Sequence, residues 1–144
     1  MIRKSTAVWR GDGAKGKGEL TTQSGAFDKQ PYSFNTRFES EDGKAGTNPE
    51  ELLAAAHAGC FAMATAFALS RANKPADELN VTASVDLQKG DAGFSIVGIA
   101  LELTAKVPGI DAAEFATLAE GAKTNCPLSR ALAATPITLS AKLL

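Results

Sequence analysis

Residues 47–61, TNPEELLAAAHAGCF, decide the fold. Asn48 is a good helix N-cap, Pro49 suits the first helical position, and Glu51 stands three residues after the cap. The apolar run continues through Leu69, so the pattern predicts one long helix from here to about Ala72. A helix of this length that is apolar around most of its circumference is either a membrane span or the central helix of a soluble fold. The second reading is preferred. Alanine dominates the run, His57 sits within it, and no second span accompanies it. Deep in this helix lies Cys60, for which the simplest role is that of a small buried hydrophobe.

Upstream, residues 5–11 (STAVWRG), 18–24 (GELTTQS) and 32–39 (YSFNTRFE) read as strands of a small antiparallel sheet, separated by Gly- and Pro-containing turns. Downstream, residues 79–88 and 94–107 flank KGDAG and predict a hairpin with Val81, Ala83, Val85 and Leu87 on one face. In its second strand the apolar set changes phase, which predicts a bulge near Val97. Asp111 and Glu114 form a capping-box pattern for a helix carrying Phe115, Leu118 and Ala122 and ending near Thr124. Residues 126–134, CPLSRALAA, start a short further helix with Cys126 near its N-cap and Pro127 at its first position. Residues 136–143 form a last strand. Without a repeat or linker, the order implies an α+β fold in a single domain, residues 1–144.

Lys plus Arg number 15 and Asp plus Glu 16, so no charge excess favours nucleic acid or an anionic membrane as partner. The start of the chain lacks a block like a signal peptide's apolar segment, and a cytoplasmic location is expected. One histidine and two cysteines cannot close a zinc site, so no metal is expected. The cysteines are 66 positions apart and outside any C-x-x-C. In a reducing compartment they read as a transient or catalytic pair, or as two unrelated buried thiols. His57, three residues before Cys60, shares its helical face and could serve a hydrolase as base. A core or interface histidine bonded to backbone is preferred, because no residue is identifiable to orient the ring. Thiol redox chemistry needs a thiolate, a positive neighbour and a second thiol. Arg37 is a candidate for the positive group, or else a solvated strand-edge residue. A helix N-terminus favours a thiolate at Cys126, whereas desolvation raises the pKa of Cys60. Electrostatics alone thus names Cys126 as the nucleophile.

FNTRFE, GTNPEELLAAAHAGCF, DAGFSIVGIALEL, VPGID and CPLSRAL together resemble the osmotically inducible protein C (OsmC) family, sister group of the organic hydroperoxide resistance proteins, over nearly the whole chain. That resemblance implies an intertwined α+β homodimer with antiparallel sheets packed around long central helices. It further implies a peroxidase that needs no cofactor and reduces organic hydroperoxides, and more weakly hydrogen peroxide. The oxidised cysteines would be reduced by a dithiol such as dihydrolipoamide or a lipoylated protein. By the same resemblance Cys60 is the attacking and Cys126 the resolving cysteine, and Arg37 and Glu50 match a supporting charged pair. Gly59 replaces a frequent alanine. Phe61, Met63, Phe38 and Phe27 are candidates for an apolar substrate wall. A non-enzymatic protein that binds an apolar ligand or senses redox state is the competing class. On a straight helix Glu50 and Cys60 lie ~15 Å apart along the axis and roughly 80° apart around it. They serve one reaction only if Glu50 reaches the Cys60 of a second chain, which makes the expected active site composite.

Overall fold

The computed structural model describes residues 1–144, which group into two compact units, Met1–Leu52 and Leu53–Leu144. In the first, β1 (Ser5–Arg10), β2 (Lys17–Thr22) and β3 (Gln30–Ser33) form an antiparallel sheet in sequence order. Trp9 packs on Tyr32 with ring centroids 5.5 Å apart, joining the first and last strands across one face. The third strand is shorter than expected. Phe34–Phe38 forms a helix, α1, because the Ser33 hydroxyl accepts from the Thr36 amide (3.2 Å) and the Thr36 hydroxyl accepts from the Ser33 amide (2.9 Å). This reciprocal cap offers the backbone an alternative to the sheet ladder, and it wins here. Arg37 therefore sits in the last turn of a helix and not on a strand edge. Thr36 also donates to the carbonyl of Thr47 (3.0 Å), tying α1 to the segment before the long helix. Gly46, at φ +156°, passes so close that a Cβ there would meet the Thr36 methyl at 2.8 Å.

The long helix, α2, spans Pro49–Arg71. Asn48 caps it as expected, accepting from the Glu51 amide at 2.9 Å, while the Glu51 carboxylate takes the Thr47 hydroxyl at 2.9 Å. By length and composition α2 could cross a membrane, with mean hydropathy 1.8 over its most apolar stretch. Its stripe of His57, Phe61, Thr65 and Leu69 is nevertheless fully buried in the second unit, as a core helix requires.

That unit contains a sheet in the order β4 (Glu78–Gly90), β5 (Gly93–Lys106), β6 (Ile137–Leu143). The β4–β5 hairpin pairs Asp86 with Gly98 and Leu87 with Ile96, so Val97 is the extra residue of a bulge, where the apolar phase changes. β6 runs parallel to β5, with Ile99 opposite Ile137 through Ala105 opposite Leu143. The sheet is mixed, not antiparallel throughout. A parallel pair needs a crossover, and α3 (Ala112–Asn125) with α4 (Pro127–Ala131) supplies it. Asp111 caps α3 by accepting from Ala113 and Glu114 amides, both at 2.9 Å.

Phe61 and Leu69 of α2, Leu101, Leu103 and Ala105 of β5, and Phe115, Ala119 and Ala122 of α3 form one buried cluster. Phe115 is 2% exposed at its centre. Phe115→Ala removes a whole ring from this cluster and is expected to cost about 3–5 kcal/mol. Urea denaturation checks it, through a lower midpoint at an unchanged slope.

Candidate active site

Four of the side chains singled out in the sequence stand in two pairs. In the N-terminal unit Arg37 and Glu50 form a bidentate ion pair, Nε to Oε2 at 3.1 Å and Nη2 to Oε1 at 2.6 Å. The parallel-fork geometry fixes the guanidinium plane more firmly than one contact could. Arg37 Cζ also lies 4.8 Å from the Phe38 ring centroid. The Glu50 side chain is 13% exposed and that of Arg37 35%, so the acid is the sheltered member and the cation the accessible one.

In the C-terminal unit the sulfurs of Cys60 and Cys126 are 3.2 Å apart, and both are free thiols. Cys126 is completely buried, but Cys60 is half-buried within the chain. The reason is rotation: Cys60 stands one residue from Phe61, about 100° around the helix from it and so at the edge of the buried stripe. Cys126 is held from both sides. Its amide donates to the Ala122 carbonyl (2.8 Å) to end α3, and its carbonyl accepts from Arg130 (3.0 Å) to begin α4.

The two thiols titrate in opposite directions. Burial pushes the Cys60 pKa up, and its hydrogen bond with Cys126 and that neighbour's charge push it further, against a smaller opposing effect of the Leu128 amide. Burial also works against a Cys126 thiolate, but the Ser129 amide, the Cys60 thiol, the Ser129 hydroxyl and the Leu128 amide outweigh it and lower the pKa. Within one chain Cys126 is therefore the more acidic of the two thiols, in the sense read from the sequence.

His57 is fully buried. Its Nε2 lies 2.8 Å from the Ser129 hydroxyl, and its Nδ1 has no partner. The partner is thus a side chain on α4, not the backbone expected. Ser129 was missed in the sequence, although its position three residues after Cys126 in CPLS was the available signal. Burial lowers the His57 pKa. Of the proposed wall residues, Phe61 lies in the core and Met63 is exposed, while Phe27 and Phe38 are half-buried. An open groove of about 660 Å³ runs between α2 and α3 past Phe67, Arg71, Leu118 and Pro127, and neither thiol lines it. No three His, Cys, Asp or Glu side chains cluster in a way that could hold a metal ion.

An α+β fold presenting two apposed free thiols defines a dithiol protein. The chain belongs to the OsmC-like protein family, whose profile matches residues 41–142. It is 49% identical over 141 residues to peroxiredoxin OsmC of Escherichia coli K12, covering 98% of this chain and 96% of the relative. It is 31% identical to the organic hydroperoxide resistance protein OhrB of Bacillus subtilis over 115 residues, 79% of this chain and 80% of that one. The solved structure of that OhrB superposes with a TM-score of 0.68 at 25% identity, covering 98% of each chain. An organic hydroperoxide resistance protein from Elizabethkingia anophelis gives 0.73 at 25% identity over 100% of this chain and 99% of that one.

A buried neutral histidine makes stability depend on pH. Because the folded chain resists protonating His57, the unfolded chain binds more protons as pH falls through the ordinary value of 6.5, and stability declines with it. His57→Gln keeps a hydrogen-bonding group near Ser129 and cannot take the proton. Urea midpoints compared at about pH 7 and about pH 5 should fall less in His57→Gln than in the wild type.

Proposed function

We propose that this chain reduces organic hydroperoxides with Cys60 as the attacking thiolate and Cys126 as the resolving one. That it is a thiol-dependent peroxidase of stress defence follows from its relationship to peroxiredoxin OsmC and the organic hydroperoxide resistance proteins. The observation carrying the finer reading is the 3.2 Å separation of two free thiols. In the first step the Cys60 thiolate attacks one oxygen of the O–O bond. That bond breaks, an alkoxide leaves and is protonated to an alcohol, and Cys60 becomes a sulfenic acid. In the second, Cys126 attacks the Cys60 sulfur, hydroxide leaves and is protonated to water, and a disulfide forms. A dithiol such as dihydrolipoamide, free or on a lipoylated protein, restores both thiols by exchange. A cytoplasmic setting suits this cycle, since the surroundings keep the resting thiols reduced.

The raised pKa of Cys60 leaves its thiolate in need of a cation. Arg37, held in plane by Glu50, is the cation this reading supplies. The ~15 Å of helix axis between Glu50 and Cys60 supports a reading in which the pair serves the Cys60 of a second copy, in a two-fold dimer with composite sites. Met63 and Phe67, 63% and 60% exposed on α2, support a dimer that covers this helix. In such a site the guanidinium stabilises the thiolate and orients the peroxide oxygens.

With dithiol supplied, the wild type should consume many equivalents of cumene hydroperoxide per chain, whereas a sensor stops after one. Cys60→Ser should abolish consumption, and Cys126→Ser should leave a sulfenic acid on Cys60 that a dimedone-type probe labels. Labelling on Cys126 in the converse variant, with activity retained, reverses the assignment. Composite sites predict complementation. Co-expressed Glu50→Ala and Cys60→Ala chains form mixed dimers with one intact site, restoring about a quarter of wild-type activity under random pairing. Mixed dimers isolated by two affinity tags that regain nothing would remove Glu50 from the Cys60 site.

A further inference from the structure

His57 is the one buried ionisable group that this cycle does not use. It lies on α2 three residues before Cys60, and its only hydrogen-bond partner is the hydroxyl of Ser129 at 2.8 Å. Its two tautomers are not equivalent. With the proton on Nδ1, a buried N–H has no acceptor. With the proton on Nε2, the buried atom left over is only an acceptor, which is the cheaper one to leave unpaired. The Nε2–H form is therefore favoured, and it donates to the Ser129 oxygen. This turns the Ser129 O–H outward from the ring. Ser129 is the third residue of α4 and Cys126 its N-cap, so the two stand within one helical turn of each other.

We infer that His57 is a positioning residue for the resolving step: by occupying the Ser129 oxygen it commits the Ser129 hydroxyl proton to the Cys126 sulfur. The hydroxyl then stabilises the thiolate that attacks the Cys60 sulfenic acid. The Ser129 hydroxyl is among the groups that lower the Cys126 pKa. The ionisable groups acting in this site are Cys60 on α2, bonded to Cys126 directly, and His57, which reaches it only through Ser129. His57 itself takes up no proton in the cycle. The relayed bond alters how readily Cys126 ionises, and the atoms exchanged remain those of disulfide formation: an S–S bond made, an S–O bond broken, water released.

The second half of this inference rests on the peroxidase reading, but its first half does not, and the experiment separates them. In a Cys60→Ser background, ultraviolet thiolate absorbance titrates Cys126 alone, without peroxide. Adding His57→Phe should raise the Cys126 pKa by about one unit, as expected for losing a hydrogen bond to a charged group. Adding His57→Gln, which restores a donor near Nε2, should return it. Should His57→Phe fold poorly, His57→Met carries the same test, and Ser129→Ala set against Ser129→Thr checks the second link of the relay. In chains with both cysteines, rapid mixing with one equivalent of cumene hydroperoxide should show the inflection of disulfide formation moved up by the same amount. Below it the step should slow about three- to fourfold, because the less acidic thiol is rarer as thiolate but more nucleophilic. An unmoved Cys126 titration in a folded His57 variant that lacks the donor overturns the inference, whatever Ser129→Ala does. A moved titration in a chain that consumes no hydroperoxide upholds the positioning role and overturns the peroxidase reading.

Discussion

The buried stripe of α2, His57, Phe61, Thr65 and Leu69, is the constraint on which the C-terminal unit depends. Its four-residue spacing lets one helix face meet β5 and α3, and the Thr65 hydroxyl satisfies itself on the Phe61 carbonyl at 2.9 Å. Because a helix is rigid, burying this stripe also fixes the direction of every other residue on α2. Cys60 falls at the edge of the core, where its sulfur meets Cys126. His57 falls within it, where its ring meets Ser129. Glu50, in the first turn, is held with Arg37. Packing thus sets where each of these side chains on the helix stands.

Burial penalises both thiolates, so their order is decided by local donors. Cys126 has the amides of Leu128 and Ser129 at the start of α4, and Cys60, in the middle of a helix whose amides are already used, has little. A full charge changes that order. At ~4 Å and an effective dielectric of ~20, a guanidinium favours a thiolate by about 4 kcal/mol, equivalent to roughly three pKa units. This exceeds what one amide contributes, so the attacking role proposed for Cys60 and the single-chain pKa order are compatible once Arg37 of a second copy is brought to it.

Much of this was legible in the sequence because the signals were local. Asn48, Pro49 and Glu51 marked the start of α2, the phase change at Val97 marked the bulge, and Asp111 marked α3. FNTRF, expected as strand, is helical because Ser33 and Thr36 cap each other reciprocally, a feature as local as any strand signal in the segment. The parallel placement of β6 was not legible. Strand direction depends on how α3 and α4 carry the chain across the sheet, and no pattern within residues 136–143 encodes it. Cys60, Cys126, Arg37 and Glu50 were named mainly through resemblance, since a separation of 66 positions gives no sequence measure of a thiol contact. The His57–Ser129 bond was hidden for the same reason: its partners are 72 residues apart.

The backbone around the thiols is fixed before any chemistry begins. Cys60 is in the middle of a 23-residue helix, and Cys126 both ends one helix and begins another. From a separation of 3.2 Å, the sulfurs need only ~1 Å of approach to reach bonding distance. Side-chain rotation covers that distance, so no helix would have to unwind for the proposed disulfide to form. Where dithiols lie far apart, resolution waits on local unfolding. In the proposed cycle the remaining variable is the ionisation of Cys126, and the relayed hydrogen bond inferred for His57 would act on that quantity while leaving the backbone undisturbed.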